Sequence, residues 1–332
     1  TVTRPTAAMR AAMAAAELGD DVFGDDPTVG ELQRVIAGRL GFEAALFVPS
    51  GTMSNLCALL SHCQRGDEYL VGQMAHCYRW EGGGAAVLGS IQPQPLAQQA
   101  DGTIPLADLE ANIKPDDAHF ARTRLLALEN TWGGRVLPMD YIEATTALAR
   151  RHGLATHLDG ARLFNAAVAQ AGPGGDAWAQ ARRIAGHFDS VSVCFSKGLG
   201  APVGSALCGS RELVARAHRW RKMAGGGMRQ AGVLAAAAQH ALDHHVERLA
   251  EDHANAALLA VGLQCLPGVT VSPAQTNMVF VDLAPEKAAG ATDRLRAAGV
   301  LCTGLYKLRL VTHLDVSRDD IGHAVRVLRE IL

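Results

Sequence analysis

Short apolar runs alternate with alanine-rich stretches of helical length from residue 30 to residue 210, and this alternation limits the possible folds more than any other feature of the chain. Ala44–Pro49, Tyr69–Gly72, Ala85–Leu88, Arg124–Glu129, Leu154–Asp159 and Val191–Ser196 read as buried strands. Leu32–Leu40, Ser54–His62, Pro138–His152 and Asp176–Ala185, lying between them, read as helices. Strand–helix alternation of this kind predicts an α/β layer with a mostly parallel sheet. Beyond Ala231 the texture changes. A long Ala/His/Arg-rich helix to about Gly262 precedes a strand at Thr276–Val281, a helix over 285–298, a strand at Leu308–Val311 and a last helix over 317–331. That segment predicts a smaller α+β unit. The expected division is an N-terminal segment 1–25, a large unit 26–235 and a small C-terminal unit 236–332.

Composition narrows the function. Of 332 residues, 48% are apolar and 19% charged, enough apolar material for a sizeable core and too little charge for disorder. The formal net charge of -2 gives no electrostatic case for nucleic acid or an anionic membrane as the main partner. No apolar stretch reaches the roughly 18 residues of a membrane span. Thr1–Arg10 has no apolar core behind a basic start, so a secretory leader is not expected, though a few residues are expected to precede Thr1. Seven cysteines without a CxxC pair argue against a disulfide framework and for a reduced, cytoplasmic setting.

Only five of the 31 basic residues are lysines: Lys114, Lys197, Lys222, Lys287 and Lys307. Any chemistry that needs an amine therefore has five candidates. Lys114, Lys287 and Lys307 stand in segments that read as solvated turns and helix ends. Lys197 follows the strand Val191–Ser196 and precedes Gly198-Leu199-Gly200, which places it at the carboxyl edge where α/β sheets bind ligands. Burial there would favour a neutral, nucleophilic amine; the plainer reading is a lysine snorkelling from a strand end.

Asp159 ends the strand before that one and reaches the same edge. A buried carboxylate needs a cationic or hydrogen-bonding partner, either a structural one such as Arg162 or the ring nitrogen of a bound pyridine cofactor. His157, two residues back, points to the same face and is expected to pack beneath the site. Ser50-Gly51-Thr52 joins a strand to an amphipathic helix and would present backbone N–H groups and the Thr52 hydroxyl to a phosphate, or else serve as an ordinary cap. His76 and His119 read as histidines following strands on the same edge, where a flat ring could stack on a cofactor or play only a structural part. The segment Arg219–Gln230 carries Lys222, Arg229 and a triple glycine, and reads as a solvated loop or a mobile phosphate clamp reaching across a subunit interface.

Taken together, Ser50-Gly51-Thr52, His76, Asp159-Gly160-Ala161-Arg162, Ser196–Gly204 and Arg309–Asp315 resemble the bacterial low-specificity L-threonine aldolases, pyridoxal-phosphate lyases of the aspartate-aminotransferase-like fold (fold type I). The resemblance extends through Gly24–Thr28, Leu88–Pro95 and Gly225–Gln230, and runs nearly the length of the chain. It implies that Lys197 holds pyridoxal 5'-phosphate covalently, that Asp159 pairs with the pyridine nitrogen and that His76 stacks on the ring. Ser50, Gly51 and Thr52 would hold the phosphate, with Lys222 and Arg229 lining the same pocket or a partner's. Arg162 and Arg309 would bind the substrate carboxylate, Arg162 also bordering the cofactor, with His119 and Trp80 beside the β-hydroxyl and side chain.

The implied reaction is reversible cleavage of L-threonine and L-allo-threonine to glycine and acetaldehyde, in a homodimer or homotetramer with sites at the subunit interface. For the base that takes the β-hydroxyl proton, His76, His119 and a water held near them all remain open. A phenylserine-preferring aldolase or a β-eliminating lyase is the alternative within the fold. A metallohydrolase built on His157, Asp159, His313 and Asp315 is a distant one, unsupported by an HExxH motif or a cysteine cluster. Two departures from the family stand out: the sequence opens at Thr1, without the preceding Arg-Ser-Asp whose serine helps bind the substrate carboxylate in the family, and Trp132-Gly133 occupies the place of the family's His-Asn. Gly172–Arg182 also reads as a surface insertion.

Overall fold

The strand-forming runs assemble into two sheets. A computed structural model describes residues 2–304 and 307–332; Thr1 lies outside the described residues. The strands are β1 Ala44–Val48, β2 Asp67–Gly72, β3 Gln92–Leu96, β4 Arg122–Glu129, β5 Ala155–Gly160, β6 Ser190–Cys194, β7 Ser205–Gly209, β8 Val269–Val271, β9 Met278–Leu283 and β10 Leu308–Val311. The first seven form one sheet in the order β1-β7-β6-β5-β4-β2-β3, and the last three form a small antiparallel sheet, β10-β9-β8. In the large sheet only β7 runs against its neighbours, so the carboxyl ends of the other strands share one edge. The fold is therefore α/β with a mostly parallel sheet and a smaller C-terminal α+β part, as the alternation predicted.

The central strands are buried on both faces, which is why they read as continuous apolar runs rather than alternating ones. Phe47, Leu158, Val191, Val193 and Phe195 lie in the main core. A second core gathers Leu259, Val279, Val281, Leu295, Leu310 and Leu328 around the small sheet. The helix Gly232–His244 contributes Ala235, Ala238, Ala241 and Leu242 to the main core. Among the described residues no helix is long and apolar enough to cross a membrane.

Several elements depart from the sequence reading for identifiable reasons. Ala85–Leu88 is not a strand; it lies in the helix Gly84–Gly89, with Val87 and Leu88 exposed. A four-residue apolar run has no period by which to tell the two apart. The strand β3 reads Gln-Pro-Gln-Pro-Leu, and its prolines are tolerated because it is an edge strand bonded only to β2. The expected long helix from Ala231 is two helices, Gly232–His244 and Leu249–Gly262, and at the break His245 Nδ1 donates to the Leu199 carbonyl, 2.7 Å away. The helix expected over 285–298 is likewise two, parted at Gly290, whose φ of 65° favours glycine. Gly172–Arg182 is no mere surface insertion. It leads into the helix Ala177–Ala185, whose Trp178 packs edge-on against Phe164 at 4.8 Å and lies under the Arg39 guanidinium.

Candidate active site

The carboxyl edge gathers the chemistry. In the β4–β5 register Glu129 lies opposite Asp159, and β5 continues into Gly160, where a side-chain carbon would stand 2.7 Å from the Ser192 carbonyl. Only glycine allows β5 and β6 to come so close. Asp159 is buried and accepts two hydrogen bonds, from Asn55 Nδ2 at 2.8 Å and from the Ala161 N–H at 3.1 Å. Arg162 follows. Among the described residues its buried Nε has no hydrogen-bond partner, and burial pulls the guanidinium below its ordinary proton affinity, with Arg309 adding repulsion. Two guanidiniums that repel one another, one with an orphaned donor, have the chemistry that suits an anion.

Behind Asp159 runs a buried chain of polar groups whose donors and acceptors fit one direction. His62 Nε2 meets Ser190 Oγ at 2.7 Å, and Ser190 Oγ meets His157 Nδ1 at 2.8 Å. His157 Nε2 meets Asn55 Oδ1 at 3.2 Å. Burial holds His157 neutral, its pKa pushed down to about 3, so it has one N–H to give. Given to Asn55 Oδ1, that proton fixes the amide so that its nitrogen faces two carboxylates, Asp159 and Glu81, each 2.8 Å away. His157 thus lies beneath the site, as its place on the strand implied, and sets the orientation of Asn55.

His76 does not end a strand. It opens the short helix His76–Arg79 four residues beyond β2, with its backbone N–H donating to Glu129 Oε2 at 2.8 Å. Its ring Nδ1 meets Glu81 Oε1 at 2.8 Å. That bond raises the imidazole's proton affinity against the effect of burial, and the Lys197 charge lowers it. Glu129 is pushed up to about 7, first by burial and then by the Asp159 charge. Burial thus raises the proton affinity of Glu129 at an edge crowded with carboxylates, a pattern that clusters at functional sites.

Lys197 stands in the turn after β6. Its carbonyl accepts from the Thr3 hydroxyl at 3.2 Å, so the N-terminal segment braces the turn. Of the other lysines, Lys114 bonds Glu68, Gln94 and Asn112, Lys287 the Leu332 carbonyl and Lys307 Asp282. Ser50 caps the helix Gly51–His62, its Oγ accepting from the Met53 N–H. The first N–H groups of that helix, on Gly51 and Thr52, have no carbonyl partner within it. Ser205, at the start of β7, lies against them; its buried hydroxyl has no partner among the described residues and would be 3.6 Å from a side-chain carbon at Gly51. The triple-glycine loop packs on the same helix start, with Gly226 against Met53 and Gly227 beside the Lys222 side chain. Arg229 is exposed and pairs with Asp20 at 2.6 Å. Arg219 and Lys222 belong to the helix Arg211–Met223, so only the second half of this basic segment is loop.

Lys197, Asp159, His76, Arg162 and the Ser50–Thr52 cap are thus ends of neighbouring strands and turns on one edge. Trp80, half-exposed, caps the His76 helix under the Arg79 guanidinium. Arg309 lies on β10, its Nε donating to Thr303 Oγ1. His119 is not on this edge within one chain. It precedes β4 rather than following a strand, which places it at the opposite end of the sheet, exposed and bonded to Asp117 at 2.6 Å. His157, Asp159, His313 and Asp315 do not converge as ligands among the described residues; His313 lies against Asp315 instead. Sequence reading missed Asn55, Glu81, Glu129 and Ser205. Of these, Glu129 carried a usable signal, since it ends a buried strand just as Asp159 does.

The sequence matches the β-eliminating lyase family over residues 1–286. It is 53% identical to the low specificity L-threonine aldolase of Escherichia coli K12, over all of this chain and 97% of that one. It is 42% identical to a probable low-specificity L-threonine aldolase of Arabidopsis thaliana, over all of this chain and 95% of that one. Its fold is similar to that of a Leishmania major threonine aldolase, with a TM-score of 0.83 at 23% identity, covering 98% of this chain and 96% of that one. By these matches the chain belongs to the β-eliminating lyase family, alongside the low-specificity L-threonine aldolases.

Proposed function

We propose that this chain is a pyridoxal-phosphate-dependent aldehyde-lyase that cleaves L-threonine, L-allo-threonine and related β-hydroxy-α-amino acids reversibly to glycine and an aldehyde. The observation that carries this reading is the meeting of an amine, a buried carboxylate and an open helix N-terminus on one sheet edge: Lys197, Asp159 and Gly51–Thr52. The 53% identity to an enzyme of that name supports it.

The residues present fit the cofactor. The orphaned Ser205 hydroxyl and the side-chain-free Gly51 form a cradle at a helix start, and the orphaned Arg162 Nε leaves a donor for a carboxylate. Lys197 would hold the cofactor through its amine, Asp159 would face the pyridine nitrogen and His76 would lie on the ring. Ser50, Gly51 and Thr52, with Lys222 and Arg229 of the same or a partner chain, would hold the phosphate. When bound, the cofactor supplies a cationic conjugated ring that accepts the electron pair released from Cα. The protein supplies the rest. Arg162 and Arg309 grip the substrate carboxylate and so select which bond at Cα is set for cleavage. Trp80 borders the side chain of the departing aldehyde. A homodimer or homotetramer, a cytoplasmic setting and the division at residues 26 and 236 belong to the same reading. The exposed Phe23, Val87, Leu88 and Met223 are the apolar surface that assembly would cover.

The test is borohydride reduction of the purified protein with pyridoxal phosphate, followed by peptide mapping and product analysis. A reduced adduct on Lys197, and glycine with acetaldehyde from threonine, are expected. An adduct elsewhere would overturn the site, and a keto acid with ammonia as the main products would make the chain a β-eliminating lyase.

A further inference from the structure

We propose that Glu81 is a positioning residue for this reaction, acting through His76 and tying it to Asp159. The inference rests on the aldehyde-lyase reading and selects His76 as the group that takes the β-hydroxyl proton.

Glu81 opens the turn Glu81-Gly82-Gly83-Gly84, five residues beyond His76, and its side chain is only 4% exposed where that of His76 is 40% exposed. One oxygen, Oε1, accepts from both the His76 ring and the Asn55 amide, each at 2.8 Å. Three consequences follow. The bond fixes the rotation of the ring about its side chain. It also fixes the tautomer: with Nδ1–H given to a carboxylate, the neutral ring keeps its lone pair on Nε2. Finally, the carboxylate stabilises the imidazolium formed when Nε2 takes a proton, as in other acid–base–histidine arrangements. The β-hydroxyl proton then passes to Nε2, the O–H pair becomes the aldehyde carbonyl, and the Cα–Cβ pair stays on Cα.

The surroundings admit this role. Facing His76 are Glu81 on its own turn, Asn55 from the helix Gly51–His62, Asp159 from β5, Lys197 from the turn after β6, and Glu129 of β4 at its backbone N–H. Of the charged groups here, Glu81 has the strongest effect on His76 and raises its proton affinity, while Lys197 lowers it. Burial raises the proton affinity of Glu81, and the bonds to His76 and Asn55 oppose that. Because Asn55 bonds Glu81 and Asp159 with the same nitrogen, the two carboxylates share one clamp, and a shift of either moves both. His119 has no such backing in the chain, since its partner Asp117 is itself half-exposed.

The experiment compares wild type with Glu81→Gln, which keeps the shape and one acceptor but removes the charge. Expected are a fall in kcat of about 10²–10³-fold, a KM within about 3-fold, and an acid limb of the kcat/KM profile moved to lower pH. Cofactor affinity and the borohydride-reduced Lys197 peptide should stay as in wild type. On a His76→Asn background the same substitution should cost less than about 2-fold, because the two act as a unit. An unmoved acid limb, or losses that multiply independently, would overturn the proposal. Should Glu81→Gln fail to fold, Glu81→Asp takes its place: a retained acid limb with lowered kcat supports the role, and unchanged kcat overturns it. Failure of the aldehyde-lyase reading would look different, since the wild type itself would then release no glycine.

Discussion

Replacing Asp159 by asparagine is expected to lower kcat for threonine cleavage by about 10³-fold or more, although the substitution changes only one heavy atom. Both carboxylate oxygens of Asp159 accept: one takes the Asn55 amide N–H, the other the Ala161 backbone N–H. An asparagine offers one acceptor and one NH₂, so one of those donors would meet another donor, and a buried polar group would lose its bond. The substitution also removes the negative charge that would face the cofactor's ring nitrogen. Charge-assisted bonds are roughly twice as strong as neutral ones, and a loss of about 4 kcal/mol in the transition state corresponds to roughly 10³ in rate. Two readouts separate the effects. The absorption spectrum of the bound cofactor should change because the ring nitrogen loses its partner, while the reduced adduct should still map to Lys197. Activity within about tenfold of wild type would show that Asp159 is a structural acceptor for Asn55 and no more.

The same residue shows how far sequence could go. Asp159 and Lys197 were legible because one closes a buried apolar strand and the other lies in the turn just after one, and in a parallel sheet every such end reaches one edge. Gly51 and Thr52 were legible for the same reason, as a strand running into a helix start. The groups that set the chemistry of these residues were not. Asn55 meets Asp159 across 104 positions and His157 across 102, and no spacing rule covers contacts made by packing a helix onto a sheet. Glu81 stands in a glycine run that reads as loop, so nothing in the pattern marks its carboxylate as buried. His119 reads as following a strand, but it stands in the turn into β4, at the amino end of that strand. The strand β7, which reverses direction and brings Ser205 under Gly51, was missed because five residues buried on both faces carry no period.

Acidification from neutral pH is expected to destabilise the protein before the ordinary carboxylate range is reached. Three histidines are held neutral by burial: His157 with a pKa pushed down to about 3, and His62 and His253 with theirs pushed down to about 4. In the unfolded chain each titrates near 6.5. Between pH 6.5 and about 4 the unfolded state therefore binds up to three protons that the folded state refuses, and stability falls as pH falls. Glu129 opposes this. Its folded pKa of about 7 lies above the unfolded value near 4.3–4.5, so between those limits the folded state binds one proton more and gains stability on acidification. His76, raised by Glu81, acts in the same sense as Glu129, while His218, His240 and His313, all lowered, act with the buried histidines. Taking only the four groups with large shifts, the net uptake on unfolding near pH 5.5 is about two protons, or about 2.7 kcal/mol per pH unit. Two units of acidification below pH 6.5 would remove about 4–5 kcal/mol, most of the stability of a protein at the lower end of the usual range of about 5–15 kcal/mol. Urea denaturation at fixed temperature between pH 7.5 and 4.5 measures the slope directly. His62→Gln, which can still donate to Ser190 Oγ, should reduce that slope by about one proton. A flat stability between pH 7 and 5 would mean that water reaches these rings and that the chain His62–Ser190–His157–Asn55 is not the dry support beneath Asp159 that its geometry describes.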